Sequence, residues 1–257
     1  MAQIITYSWQ LNRDGPSSSL ALARVDQTSE VSGYPFGDRL SGGGGPRVVL
    51  PGFYIAVVPV TQGFWKHVMG LGENPALRGG DDNLPVENIS WDGLHAPDGF
   101  FQRLNANDIR KQLTAQSPGL NSDARFRLPS ETEWEYSARG GTHWPDGYPF
   151  SGSADIDAVA WYGRKHGDHT QPVGQKAPNQ LGIYDLSGNV WEWCEDVFTP
   201  DTSAIPADGS AYRGLGPDRV LRGGCFHNWA IHCTVSKRYE IASDAHDGCI
   251  GFRLVLS

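Results

Sequence analysis

The sequence predicts a loop-rich α+β fold, and three observations carry that prediction. Among 257 residues, 32 are Gly and 17 are Pro, while 39 % are apolar; this is a composition of tight turns, not of a helical bundle. Short β-prone runs, such as RVVLPGFYIAVVPVT at 47–61 and RVLRGG at 219–224, are interrupted or stopped by Gly and Pro. One strongly capped helix follows Ser130. The length is enough to bury a substantial core, as one large domain or two small ones.

Residues 1–45 form the first compositional unit. Ile4–Trp9 reads as a strand, and DGPSSS and the SGGGG run at Ser41–Gly45 read as turn and flexible linker. This stretch is expected to be an N-terminal extension, either an edge strand or a partner-contacting arm, ahead of a domain spanning 46–257. From Arg47 the pattern tightens, with Pro51 and Pro59 restricting the β-rich run to edges and bulges. Thr61 suits the N-cap of a helix carrying Phe64, Trp65, Val68 and Met69 on one face. LPVENISW at 84–91 reads as a short strand, and Phe100, Phe101, Leu104 and Ile109 as the apolar face of one amphipathic helix.

In RFRLPSETEWEYSARGG (125–141), Ser130 and Glu133 make a capping box and Gly140 stops the helix. Glu131, Glu133 and Glu135 are read as structural acids favoured by the helix dipole in preference to catalytic carboxylates. Residues 142–180 are turn-rich; His143, His166 and His169 lack metal-ligand spacing and read as solvated loop residues. In NQLGIYDLSGNVWEWCEDVF (179–198), Asp185 and Glu192 place hard oxygens either side of a Gly turn. Calcium and satisfaction by backbone N–H groups both remain open for them.

The last segment, 219–257, carries two patterned ends, RVLRGG and IGFRLV, which read as strands. Between them, Cys225 to Cys249 shows neither a helical nor a two-residue period, yet holds His227, Asn228, Trp229, His232, Tyr239 and His246. A loop pinned at both ends by strands is a usual place for binding or catalytic side chains. The formal charge of −8 and the lack of a basic stripe argue against a nucleic-acid partner. No apolar run is long enough for a membrane span and no signal peptide is visible at Met1, so a soluble chain is expected. Cys194, Cys225, Cys233 and Cys249 have no CxxC spacing and read as free thiols with room for one bridge.

Taken in order, PVTQGFW, LPVENISW, FRLPSETEWEYSARGG, LGIYDLSGNVWEWCEDVF, RVLRGG and IGFRLV resemble the formylglycine-generating-enzyme (sulfatase-modifying-factor) domain over roughly residues 47–257. The resemblance implies a C-type lectin-like fold of short twisted sheets, a few helices and long loops. It also implies a calcium site at Asp185, Gly188, Val190 and Glu192. Enzymes of that family oxidise a substrate cysteine to formylglycine at copper held by two thiolates. The matching positions here are Asn228 and Cys233, so one thiolate is missing, and an amide is a poor ligand for Cu(I). Neither copper nor that reaction is therefore expected. The related sulfoxide synthases usually carry an extra helical N-terminal domain, for which 45 Gly/Ser-rich residues are too few.

A third branch is the better match. The segment also resembles the variable proteins of diversity-generating retroelements, whose hypervariable ligand-binding region lies at the C-terminus between a Gly-Gly strand and a GFR strand. That resemblance implies a variable surface at 225–249 made of Cys225, Phe226, His227, Asn228, Ile231, His232, Tyr239, Ile241, Ala242, Ala245, His246, Asp247, Gly248 and Cys249. Trp229, Arg238 and Arg253 would be framework. The implied function is display of a surface that binds a protein or cell-surface ligand, on a cell or a virion. The alternatives are a copper-dependent oxidase and a noncatalytic accessory member of the family.

Overall fold

Neighbouring residues Leu22 and Ala23 are both buried, on opposite faces of one strand, and this sets the architecture: the main sheet is packed on both sides. In this computed structural model the described residues are 2–11, 17–29, 33–37, 45–117, 120–121, 123–163 and 167–257. The main sheet is antiparallel and takes the order β1 (Ile4–Trp9), β2 (Ser18–Val25), β5 (Phe53–Ala56), β11 (Val255–Leu256), β6 (Phe126–Arg127). On β5, Tyr54 and Ala56 join one cluster with Phe64, Trp65, Phe100 and Phe252, while Phe53 and Ile55 join another with Trp134, Tyr136 and Val220. A pair of short strands, β3 (Tyr34–Pro35) and β4 (Arg47–Val48), stands apart from it.

The second sheet carries the C-terminal segment. Its order is β10 (Ile250–Gly251), β7 (Trp191–Val197), β8 (Asp218–Arg222), β9 (Arg238–Ala242), with β10 parallel to β7 and the other pairs antiparallel. The stretch expected as one strand, Ile250 to Leu256, is thus divided between the two sheets. Arg253 sits at the crossing, fully buried, and donates to the carbonyls of Ala56 and Tyr184.

The helices are short. α1 (Gln62–Met69) begins as expected, with Thr61 Oγ1 accepting from Phe64 N at 3.1 Å. The 84–91 run is not a strand. Asn88 has φ 63°, a left-handed backbone that breaks an extended run, and Ser90 already caps α2 (Trp91–His95). The helix expected over 100–109 is two, α3 (Phe100–Ala106) and α4 (Ile109–Thr114), because Asn107 turns extended and its Oδ1 accepts from Ile109 N at 3.0 Å. α5 (Glu131–Ala138) has the full capping box, with Ser130 N donating to Glu133 Oε2 at 2.8 Å. α6 (Ile156–Val159) is a single turn capped by Asp155.

The stretch treated as an N-terminal extension supplies β1 at the sheet edge and β2 inside the sheet. The reason is burial: Leu20, Leu22 and Val25 pack into the core, and Ser18 and Ser19, expected in a turn, belong to β2. Asp14–Pro16, Ser41–Gly44 and His166 lie outside the described residues.

Candidate ligand-binding surface

The frame of the surface is a set of buried ion pairs. Arg222 and Arg238 face each other across β8 and β9, and both donate to Glu131 at the start of α5, with N–O distances of 3.2 Å from Arg222 and 2.6 and 2.7 Å from Arg238. Arg222 also donates to Glu135 at 2.5 Å and to the carbonyls of Val235 and Ser236. Burial pushes Glu135 up, but Arg222 and Arg139 outweigh it and hold its carboxyl below the usual range. The acids of α5 are therefore engaged structurally, and the partner arginines explain Glu131 and Glu135 better than the helix dipole does. Arg253 makes a comparable fork with Glu192, 2.6 Å to each oxygen, and the Trp134 indole donates to the same carboxylate. Both arginines expected as framework, Arg238 and Arg253, occupy that role.

Between Arg222 and Arg238 the chain leaves the sheet as a closed loop. Trp229 is 75 % and Ile231 71 % exposed; Tyr239, at the start of β9, is 46 % exposed. Trp229 was expected in the framework and instead lies on the surface, because it stands at the head of a one-turn 3-10 helix, Ala230–His232, at the outer part of the loop. β9 itself was missed. RYEIA alternates weakly, with both faces partly open, so its only sequence signal was the pairing of Tyr239 with Ile241 at two-residue spacing.

A pocket of about 290 Å³ opens beside this loop. His227, Asn228, His232, Tyr239, Ile241, Asp247 and Cys249 line it, as do Trp191, Leu221 and Ile250 from the scaffold. The latter three were not anticipated. Trp191 stacks on Tyr239 with ring centroids 5.4 Å apart, so β7 supplies the apolar floor. The far end of the segment is held by Ser243 on Asp92 and by His246 Nδ1 with Asn88 Oδ1 at 2.9 Å. His246 and Asp247 are exposed; Ala242, Ala245 and Gly248 are half-buried, and Phe226 and Ile241 pack partly against the core. Not every expected surface residue is on the surface. Cys225 and Cys249 are buried, at 0 % and 6 % exposure, because each abuts a strand end where the chain enters the core.

Asn228 organises the start of the loop. Its Oδ1 accepts from Cys225 N at 3.0 Å and from the Cys225 thiol at 3.1 Å, and its carbonyl accepts from Gly163 N. Cys233 is buried, and burial, with Cys225 adding, pushes its thiol up to about 12. The Cys225 thiol and burial raise Cys249. All four cysteines are free thiols in this structure. His143 is exposed and His169 half-buried.

Of the expected calcium ligands, Asp185 is buried, with Oδ2 accepting from Gly174 N at 2.7 Å and Oδ1 lacking a hydrogen-bond partner among the described residues. Burial pushes Asp185 up to about 6. Glu192 has both oxygens committed to Arg253 and Trp134. Gly188 has φ 79° and approaches Trp161 so closely that a Cβ would meet its carbonyl oxygen; Val190 is in the core.

Comparison with known proteins agrees with this architecture. The chain is 37 % identical over 147 residues to the formylglycine-generating enzyme of Streptomyces coelicolor, covering 49 % of this chain and 45 % of that protein. It is 30 % identical over 201 residues to the enzyme of the same name from Thermomonospora curvata, covering 72 % and 57 %. It thus spans about half the length of those enzymes. A chaperone protein, LppX of Paenibacillus barcinonensis, is 32 % identical over 237 residues, with 68 % of this chain and 81 % of that protein covered. Among solved structures, Treponema denticola variable protein 1 superposes with a TM-score of 0.75 at 28 % identity, over 97 % of this chain and 98 % of its own. The profile of the sulfatase-modifying factor enzyme 1-like domain matches residues 41–257, and the chain belongs to that family.

Proposed function

We propose that this chain is a ligand-binding display protein, and that residues 225–249 present a surface diversified by a retroelement to a protein or cell-surface ligand. One observation carries the reading: exposed Trp229 and Ile231 stand on a loop whose two ends are clamped to Glu131 through Arg222 and Arg238, beside a pocket that His227, His232 and exposed Tyr239 line. Aromatic anchors among adaptable polar groups are the composition of a binding surface, and a rigid frame lets them change without unfolding. Likeness over nearly the whole chain to a variable protein supports it. The oxidase alternative is weakened by Asn228, whose side chain orders a turn where the resembling enzymes need a thiolate.

The test is a set of combined substitutions at the exposed Trp229, Ile231 and Tyr239. The expected outcome is thermal stability close to that of the parent, since exposed changes shift stability by about 0.5 kcal/mol each or less, together with loss of binding to a ligand selected on the parent. Loss of folding would favour the accessory reading, and formylglycine formation on a cysteine peptide would restore the oxidase.

Calcium is proposed on narrower ground. Asp185 Oδ1 is a buried hard oxygen without a donor among the described residues, which fits a cation, whereas the Glu192 charge is already balanced by Arg253. Asp185 would hold the ion and its role would be to stiffen the turn before β7. Calcium is expected to raise the melting temperature of the parent and not of Asp185→Ala; no shift in either would end the idea.

A further inference from the structure

We propose that Cys225, His227 and Cys249 form a site for a thiophilic d10 cation, Zn²⁺ being the probe of choice, with one coordination position open to the pocket. The three ligating atoms, two thiol sulfurs and an imidazole nitrogen, all lie within 4.8 Å of one another. Cys249 Sγ is already 3.0 Å from His227 Nδ1. Around a tetrahedral zinc with Zn–S near 2.3 Å and Zn–N near 2.0 Å, ligand atoms sit roughly 3.5–3.8 Å apart. Closing the cluster on an ion therefore takes a contraction of about 1 Å or less at its widest edge and an opening of about 0.5 Å between Cys249 Sγ and His227 Nδ1.

The cluster stands on fixed backbone. Cys225 is joined to β8 by Gly223 and Gly224, with its N–H on Asn228 Oδ1, and Phe226 N donates to the carbonyl of Asn189. Cys249 precedes β10; its N–H donates to Asp247 Oδ1 and its carbonyl accepts from Trp191 N at 2.7 Å. Two thiols from opposite ends of the segment and the histidine near its start are thus brought together by strands that share β7 as neighbour. An S₂N donor set is soft and selects Zn²⁺ or Cu⁺ over calcium or magnesium. Cys225 is buried behind the cluster, while His227 and Cys249 line the pocket, so the fourth position faces the space that a ligand would enter. Zinc is held by thiolates, so its binding displaces protons from thiol ligands and affinity rises with pH.

This site is independent of Cys233, the one position where the resembling enzymes and this chain share a thiol. It does not rest on the display reading, because it is read without any partner. The experiment is titration of the full, reduced chain, all four thiols reactive once unfolded, first with Co²⁺ and then with Zn²⁺. One equivalent is expected, with a thiolate-to-cobalt charge-transfer band that Zn²⁺ abolishes and calcium does not. Affinity should fall by more than roughly a hundredfold in Cys249→Ser and in Cys225→Ser, beyond the roughly tenfold to hundredfold that loss of an outer partner costs, and stay near the parent's in Cys233→Ser. Should the Cys225 variant fold poorly, His227→Gln, at a half-buried site, carries the test with the two-thiolate band retained and the affinity reduced. The proposal is overturned by absence of stoichiometric uptake, by uptake that survives in Cys249→Ser and His227→Gln, or by uptake lost only in Cys233→Ser. A chain isolated without reductant whose mass is two hydrogens low, with Cys225 joined to Cys249, would overturn it too, since the pair would then be a disulfide.

Discussion

At the scale of single residues, the frame depends on charges that have no water to fall back on. Arg253 and Glu192 are both fully buried, and the guanidinium also holds two main-chain carbonyls. Arg253→Ala is predicted to destabilise the fold by about 3–5 kcal/mol, because it leaves an unpaired buried carboxylate; chemical denaturation measures it. Asp196 supplies a pH dependence. Burial, with Glu131 adding, pushes it up to about 8, although N–H groups of Tyr212 and Glu131 bond to its two oxygens and work the other way. The folded chain then holds a proton that the unfolded chain releases near pH 4, so this contribution to stability is full below about pH 4 and is lost as pH rises to about 8. The loss is about 1.4 kcal/mol per pH unit from this group alone. A stability curve flat or rising between pH 5 and 8 in both the parent and Asp196→Asn would contradict it. The sequence showed the arginines by their place in RVLRGG and IGFRLV, but not that Glu131 would join Arg222 to Arg238, since that partnership spans more than ninety residues.

At the scale of elements, what the sequence displayed were features decided locally. The Thr61 and Ser130 caps are visible because a cap and its helix are neighbours in the chain. β9 and the two-part C-terminal strand were hidden for the opposite reason. Their edges are set by partners: β9 exists because β8 offers hydrogen bonds, and residues 250–256 divide because two sheets compete for them. The candidate surface was legible to the same extent. Its chain position followed from the Gly-Gly and GFR brackets, and half of its expected residues line the pocket. The scaffold wall of Trp191 and Leu221 comes from stretches read as a Gly turn between Asp185 and Glu192 and as a plain strand. The burial of Cys225 and Cys249 was equally hidden, because a thiol looks the same in sequence whether it faces water or the core.

At the scale of the whole molecule, the N-terminal strands are the test of unity. β2 lies between β1 and β5 and buries Leu22 against the same cluster that holds Phe252 from the C-terminal segment. Removing residues 1–45 would strip that layer and leave β5 as an open, apolar edge; the truncated chain is predicted to aggregate or unfold, as read by size-exclusion chromatography and circular dichroism. A soluble, cooperatively melting fragment would show the extension to be dispensable. No described helix is long and apolar enough to cross a membrane. The clamp of Arg222 and Arg238 on Glu131 reaches further than side-chain tolerance. It closes the neck of the loop by charge, so chain added at the exposed tip, away from the buried Cys225, Cys233 and Val235, leaves the neck in place. Each doubling of a closed loop costs only about 0.6 kcal/mol. Length, and not composition alone, is then a dimension along which this surface can be remodelled, with insertions after Trp229 the place to begin.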